Sequence, residues 1–256
     1  ILDFYNPLFP EKCTRVPQHN TSRMMKAGET LDEYARRGAD ELEDKILELG
    51  PENVFCFLAE TQLGSLIGDV PPAPNYWKYV REVCDRYNVH LILDEVYCGL
   101  GRSGKIYNCS WDGIIPDFVC VGKTLAAGYA PMSAVITKRE FLDCIAKGQG
   151  RVQHGHTHQG YALGTAAAIA VQKIIHRPET MQNVLTISAR MNKRLKAALD
   201  GHPFFVDIRG RGLAFSIEYQ CENQMEFGNA IQHMLEHKHG IVLSAKWHRI
   251  SFTPPY

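Results

Sequence analysis

Two residues stand where an α/β protein would keep its chemistry. Asp94 directly follows the apolar run 89–93 (VHLIL), and Lys123 lies just past the run 118–121 (FVCV). In open α/β sheets, ligands bind beyond the carboxyl ends of the strands. A carboxylate at the end of a buried strand is costly unless a cation meets it. One such residue alone reads as a structural ion pair or a helix cap. An acid and a lysine at two neighbouring strand ends point further, toward function. One cofactor uses both: pyridoxal phosphate takes a lysine amine as its Schiff-base partner and an Asp or Arg at its pyridine nitrogen. An ionised Asp94 would keep that nitrogen protonated, and a partly desolvated Lys123 would be a usable nucleophile and base.

The elements that must position these two residues are legible around them. Thr30 followed by Glu33 is a capping-box signature. Leu31, Tyr34, Leu42, Ile46 and Leu49 then form an apolar helical stripe that Gly50 ends. Residues 53–59 have strand length, and Tyr76, Val80, Val83, Cys84 and Tyr87 mark the next helix. Residues 132–136 read as a third strand beside the two already named, followed by helices over 138–146, 160–176 and 178–199. After Gly201 come an apolar run at 213–219, a helix near 226–237, and short runs at 241–243 and 250–253. Strands alternating with helices argue an α/β domain with a largely parallel sheet, and the change near Pro178 marks a second, smaller α+β unit. The first thirty residues mix Pro, Asn and aromatics without a period and read as surface or arm.

Composition bounds the partners. Among 256 residues, Lys plus Arg and Asp plus Glu are 28 each, so no global charge advertises nucleic acid or an anionic membrane. The apolar 45% and charged 22% are those of a globular chain, which excludes wholesale disorder. The longest near-apolar stretch, 162–171, contains Gly164 and Thr165 and is well short of a spanning helix. Eight cysteines are scattered singly without a C-x-x-C pair. That pattern points away from a disulfide framework or cysteine zinc site and toward a reducing, cytoplasmic setting.

Three other motifs compete for attention. Gly99, Gly101 and Gly104 (GLGRSG) follow a strand and match the dinucleotide fingerprint. The context fails, because residues 105–117 are broken by Asn, Trp and Pro, and Asp117 precedes its strand. His233 and His237 fit the inverted zinc-protease pattern, but no acid follows Glu236. Phe227, Ala230, Ile231, Met234 and Leu235 would be the buried stripe of that helix, leaving both histidines in solvent. His154, His156 and His158 alternate in a segment that reads as a loop. No metal is expected. Arg102 reads equally as a turn residue or a substrate contact.

The segments LILDEVYCGLGRSGK and PDFVCVGKTLAAGYAP together resemble the signature of the class III pyridoxal-phosphate aminotransferases, the ω-aminotransferase group. Asp94, Glu95, Val96, Gly99, Gly101, Arg102, Ser103, Gly104, Pro116, Asp117, Gly122, Lys123, Gly128 and Pro131 occur in the family's order. HGHTHQG and SFTPPY look closest to a largely fungal branch. The resemblance implies an aspartate-aminotransferase-type, fold type I, three-layer large domain, incomplete, over residues 1–177. Residues 178–256 would be part of a small α+β C-terminal domain, entered through 206–213 (VDIRGRGL). It implies that Lys123 carries the cofactor, Asp94 meets its pyridine nitrogen, Val96 packs on the ring, and Thr157 binds phosphate across a homodimer interface. Glu60, Gly64 and Gly68 are similar to the family's Glu-Pro-x-x-Gly stretch.

The implied reaction is transfer of an amino group from an amine or amino acid to a keto acid or aldehyde. An aminomutase, a decarboxylase or a non-catalytic derivative are the alternatives. Several positions depart from the family: Thr61 replaces Pro, Tyr97 replaces a frequent Gln, and Tyr161-Ala162 replaces His/Asn-Pro. No gate glutamate falls near Ser65, which argues against ornithine and γ-aminobutyrate as substrates. The family's Gly/Ser-rich phosphate loop and ring-stacking aromatic have no equivalent here, and the chain stops at PPY. The expectation is a fragment that binds the cofactor poorly on its own.

Overall fold

Thr30 opens the first long helix as its spacing requires. Its hydroxyl accepts the Glu33 N–H at 3.2 Å while Glu33 Oε2 accepts the Thr30 N–H at 2.8 Å, satisfying two donors a helix start leaves unpaired. In this computed structural model, which describes residues 12–64 and 66–256, that helix is α1 (Leu31–Leu49) and α2 is Tyr76–Arg86. Residues 1–11 of the predicted arm, and the position Ser65, lie outside the described residues.

Strands β1 (Cys56–Glu60), β2 (His90–Asp94), β3 (Phe118–Val121) and β4 (Ala134–Thr137) form one sheet in that spatial order. β1, β2 and β3 run parallel and β4 returns antiparallel. Side chains alternate between the faces of a strand. Leu91 and Leu93 therefore meet Leu42, Ile46, Trp77 and Val80 of α1 and α2, and Val119 and Val121 pack on Leu100. On the other face, Phe141 of α3 (Arg139–Lys147) covers Phe118 and His90 at ring separations of 4.7 and 5.1 Å. Helices thus lie on both faces, an incomplete three-layer arrangement, and on the α3 side Leu58 and Val135 stay exposed.

Helices α4 (Ala162–Ile175) and α5 (Pro178–Leu199) lead to a second, wholly antiparallel sheet. Its strands β5 (Phe205–Arg211), β6 (Ala214–Tyr219), β7 (Ser244–Lys246) and β8 (Arg249–Phe252) are ordered β5-β6-β8-β7. Ile217, Tyr219, Ala245 and Ile250 pack on Leu195 and Leu199 of α5 and on Phe227 and Ile231 of α6 (Gln224–His239).

The two sheets are fastened by polar contacts. Leu213 donates its N–H to the Arg102 carbonyl at 2.9 Å, and Arg211 grips Asp112 through two bonds of 2.8 and 3.1 Å. Ser216 donates to the buried Asp69 at 2.5 Å, and Arg209 donates to the Gly68 carbonyl at 2.9 Å.

Several expectations need correction. Leu31 and Leu49 are exposed, because the buried stripe of α1 runs through Tyr34, Ala35, Ala39, Leu42 and Ile46. On α6, Ala230 and Met234 face solvent as well, and the half-buried stripe is Phe227, Ile231 and Leu235 around the buried Gly228. The run 241–243 is not a strand; pairing with β8 begins at Ser244. The segment 206–213 lies mostly in β5, whose Arg and Gly residues hide its period. No helix among the described residues is long and apolar enough to cross a membrane.

Candidate active site

Register brings the acids together. Glu60, Asp94 and Cys120 stand level across β1, β2 and β3, at the carboxyl ends of three parallel strands spaced about 4.8 Å apart. Matching parity puts their side chains on one face. Asp94 is half-buried, and its Oδ1 accepts the Val96 N–H at 2.9 Å, which curls the chain away from the strand end. Lys123 follows three residues after Cys120, at the head of a short 3₁₀ turn, Lys123–Leu125. Its side chain is exposed rather than partly desolvated, with Nζ 5.5 Å from the centre of the Tyr97 ring.

Glu60 reports the common electrostatic environment. Crowding around its carboxyl raises its proton affinity although the residue's surface is open to solvent. The Gly64 N–H, donated at 2.5 Å, opposes that rise; Asp94 adds to it and Lys123 subtracts. The net direction is upward, so a carboxyl of raised proton affinity stands beside Asp94 at the edge of the strand-end group and feels the Lys123 amine. Below it, His19 donates from Nε2 to the Glu60 carbonyl at 3.0 Å.

Val96 approaches the lysine loop closely because position 122 has no side chain. A Cβ on Gly122 would lie 3.3 Å from Val96 Cγ1. Against Lys123 lies a cavity of about 370 Å³, also lined by Gly128, Ala130, Pro131 and Met132. Asp94 and Val96 are not in that lining. Thr157 sits in an exposed turn and has no recorded hydrogen bond to the strand-end group. Asp94, Val96 and Lys123 are therefore brought together, and Thr157 is not.

Other conspicuous residues prove structural. Glu95 is buried and accepts the N–H groups of Asn108 and Cys109, each at 2.7 Å, and the Thr61 hydroxyl at 3.2 Å. Thr61, where the family has Pro, thus supplies a donor to that network. Arg102 donates to the carbonyls of Pro254 and Leu213, at 2.5 and 3.3 Å, and lies over the Tyr256 ring. It is a turn residue that pins the chain's last segment. Gly101 and Gly104 have φ of +93° and +86°, so a turn explains the glycines of GLGRSG. His233 and His237 stack on each other in solvent at 4.1 Å, and the described residues hold no group of three or more side chains that could bind a metal. All eight cysteines are free.

Two contacts on the lysine turn were not legible in the sequence. Gln172 donates to the Thr124 and Leu125 carbonyls at 3.2 and 3.1 Å, and the Tyr256 hydroxyl reaches Leu100 O at 2.9 Å and Thr124 Oγ1 at 3.5 Å. Both partners are remote in sequence; Gln172 belongs to no motif, and SFTPPY gives no sign of where Tyr256 would reach.

The family model for aminotransferase class-III matches residues 4–256. The chain belongs to that family. An aminotransferase of Gibberella zeae is 40% identical over 221 residues, covering 86% of this chain and 43% of the relative. The diaminobutyrate–2-oxoglutarate transaminase of Halomonas elongata is 34% identical over 219 residues, covering 84% and 46%. Among solved structures, a transaminase from directed evolution by ancestral reconstruction superposes with a TM-score of 0.90 at 29% identity, over 100% of this chain and 58% of that one. The ω-transaminase of Pseudomonas jessenii in complex with PMP gives 0.85 at 29% identity, over 94% and 55%. This class-III aminotransferase chain spans about half the length of the curated relatives it matches.

The family's cofactor is pyridoxal phosphate, and the residues present fit it in donor chemistry. A primary amine and a carboxylate stand at adjoining strand ends, Gly122 admits Val96 beside the lysine loop, and a cavity lies against the amine.

Proposed function

We propose that this chain carries the lysine-bearing part of a pyridoxal-phosphate-dependent aminotransferase, which moves an amino group from an amine or amino acid to a keto acid or aldehyde. The observation that carries the reading is the placement of Asp94 and Lys123 at the ends of neighbouring parallel strands. When bound, the cofactor supplies an aldehyde that captures amines and a ring that draws electrons from the carbon beside the captured nitrogen.

The chain's own residues do the rest. Lys123 Nζ would hold the cofactor covalently at rest, and as a free amine it would serve as base and then acid for the proton on the substrate carbon. Asp94 would present a negative charge to the cofactor's pyridine nitrogen and keep a proton there; its Oδ1 is held by the Val96 N–H. Val96, held beside Gly122, would pack on one face of the ring and keep water off it. Thr157, in an exposed turn, serves as a phosphate donor for a second copy across a homodimer interface. Residues 1–177 belong to the cofactor-binding domain and 178–256 to the smaller one, in a reducing, cytoplasmic setting.

The test uses the full-length protein. Borohydride should fix the cofactor to the peptide bearing Lys123, as read by mass spectrometry, and Lys123→Ala should abolish both the adduct and the visible band. Retained turnover in that variant would overturn the assignment.

A further inference from the structure

Lys123 is one of only seven non-glycine residues with positive φ among the described residues, at +40°. A residue bearing a Cβ occupies that region sparsely, and it persists only where the surroundings over-determine it. The turn's own bonds are Leu125 N–H to Gly122 O at 2.8 Å and Ala127 N–H to Lys123 O at 2.9 Å. These close the loop from within. Beyond the packing of Leu125 on Leu100, Val119 and Val121, its side-chain hydrogen bonds to the rest of the molecule come from two residues. The Gln172 amide, from α4, donates to two consecutive carbonyls of the turn, at Thr124 and Leu125. The Tyr256 hydroxyl joins Thr124 to Leu100, which is itself at φ +51°. Arg102 lies over the Tyr256 ring at 4.5 Å and holds Pro254, so the tyrosine is held in turn.

We infer that Gln172, seconded by Tyr256, is a positioning residue that holds the strained Lys123 backbone in the orientation its amine needs. The inference rests on the reading of Lys123 as the cofactor lysine. Gln172 never touches the reacting atoms. It acts through the consecutive carbonyls of Thr124 and Leu125, and no other hydrogen bond from α4 reaches that turn. Loss of its two donors would free the turn to relax toward ordinary backbone, moving Nζ. A displacement of about 1 Å at a reacting atom lowers a rate by as much as a hundredfold.

The experiment compares wild type, Gln172→Met and Tyr256→Phe as full-length holoenzymes. Met keeps the length of the glutamine and removes its donors; Phe keeps the ring beneath Arg102 and removes the hydroxyl. Three readouts are taken: the rate at which an added amine discharges the visible lysine–cofactor band, the split between kcat and KM, and the melting temperature. In Gln172→Met the discharge rate and kcat should each fall about tenfold or more, with KM within about twofold of wild type. Tyr256→Phe should show the same pattern, more weakly. A lowered melting temperature with unchanged discharge rate and kcat would overturn the inference, leaving Gln172 a scaffold residue. Should Gln172→Met fail to fold, Tyr256→Phe decides by the same criteria. A wild type without a borohydride-fixed band at Lys123 would instead overturn the underlying assignment, so the two failures are distinct.

Discussion

Asp94 and Glu95 are adjacent acids with opposite fates. Glu95 turns inward, where burial pushes its proton affinity up while the N–H groups of Cys109 and Asn108 pull it down, and it spends its oxygens on the loop that follows. Asp94 remains at the strand mouth with a single recorded donor, Val96 N–H. Asp94→Asn is therefore a clean substitution: the amide oxygen still accepts from Val96, so the turn stands and only the charge is lost. The variant should retain cofactor in a spectral titration while turnover falls about a hundredfold or more, the scale of losing one preorganised electrostatic partner. An unchanged rate would remove Asp94's electronic role. At this scale the sequence told which residues carry charge at strand ends, because Val89 to Leu93 and Phe118 to Val121 are unambiguous apolar runs. It could not tell that Lys123 would be exposed, or that Gln172 would reach it, since both depend on contacts across dozens of residues.

Elements are held in place by similar means. Asp117, at the start of β3, accepts the Leu91 N–H of β2 at 2.8 Å, pairs with Arg81 of α2 at 2.8 Å, and meets Lys138, beside α3, at 3.0 Å. Burial alone would raise its proton affinity; the Leu91 N–H and the two cations outweigh this and hold it below the ordinary value of 3.8. For a lowered acid, the stability it contributes is fully present above about pH 3.8 and is lost as pH falls below that value toward the folded-state pKa. Asp117→Ala should cost about 2 kcal/mol near neutral pH, chiefly from the Leu91 and Arg81 bonds, because the Lys138 pair is half exposed and screened. The deficit relative to wild type should shrink in acid, as urea midpoints across pH would show. An equal deficit at all pH values would mean that the loss is one of packing. Element types were readable wherever an apolar period was uninterrupted, as in α1, α2, β2, β3 and α5. They were not readable in β5, where Asp207 and Gly210 break the alternation and Arg209 and Arg211 reach Gly68 and Asp112 beside the first sheet.

The whole molecule depends on a few places where its two sheets meet, and Gly212 is the tightest. With φ of +58°, it brings the β5–β6 turn so near residues 102 and 103 that a Cβ would stand 2.4 Å from the Ser103 carbonyl carbon and 2.6 Å from Arg102 O. Backbone cannot yield as a side-chain tip can. Gly212→Ala should therefore cost about 3 kcal/mol or more, read as a drop in the denaturant midpoint, and should loosen the Leu213 to Arg102 bond. A loss below about 1 kcal/mol would show that the junction has slack. The level placement of Glu60, Asp94 and Cys120 carries a further consequence for how such a chain can change over generations. One amino acid inserted or deleted within β2 would rotate every following side chain to the opposite surface and drop the aspartate among the leucines. The segment can tolerate many replacements, but its length is not free to drift.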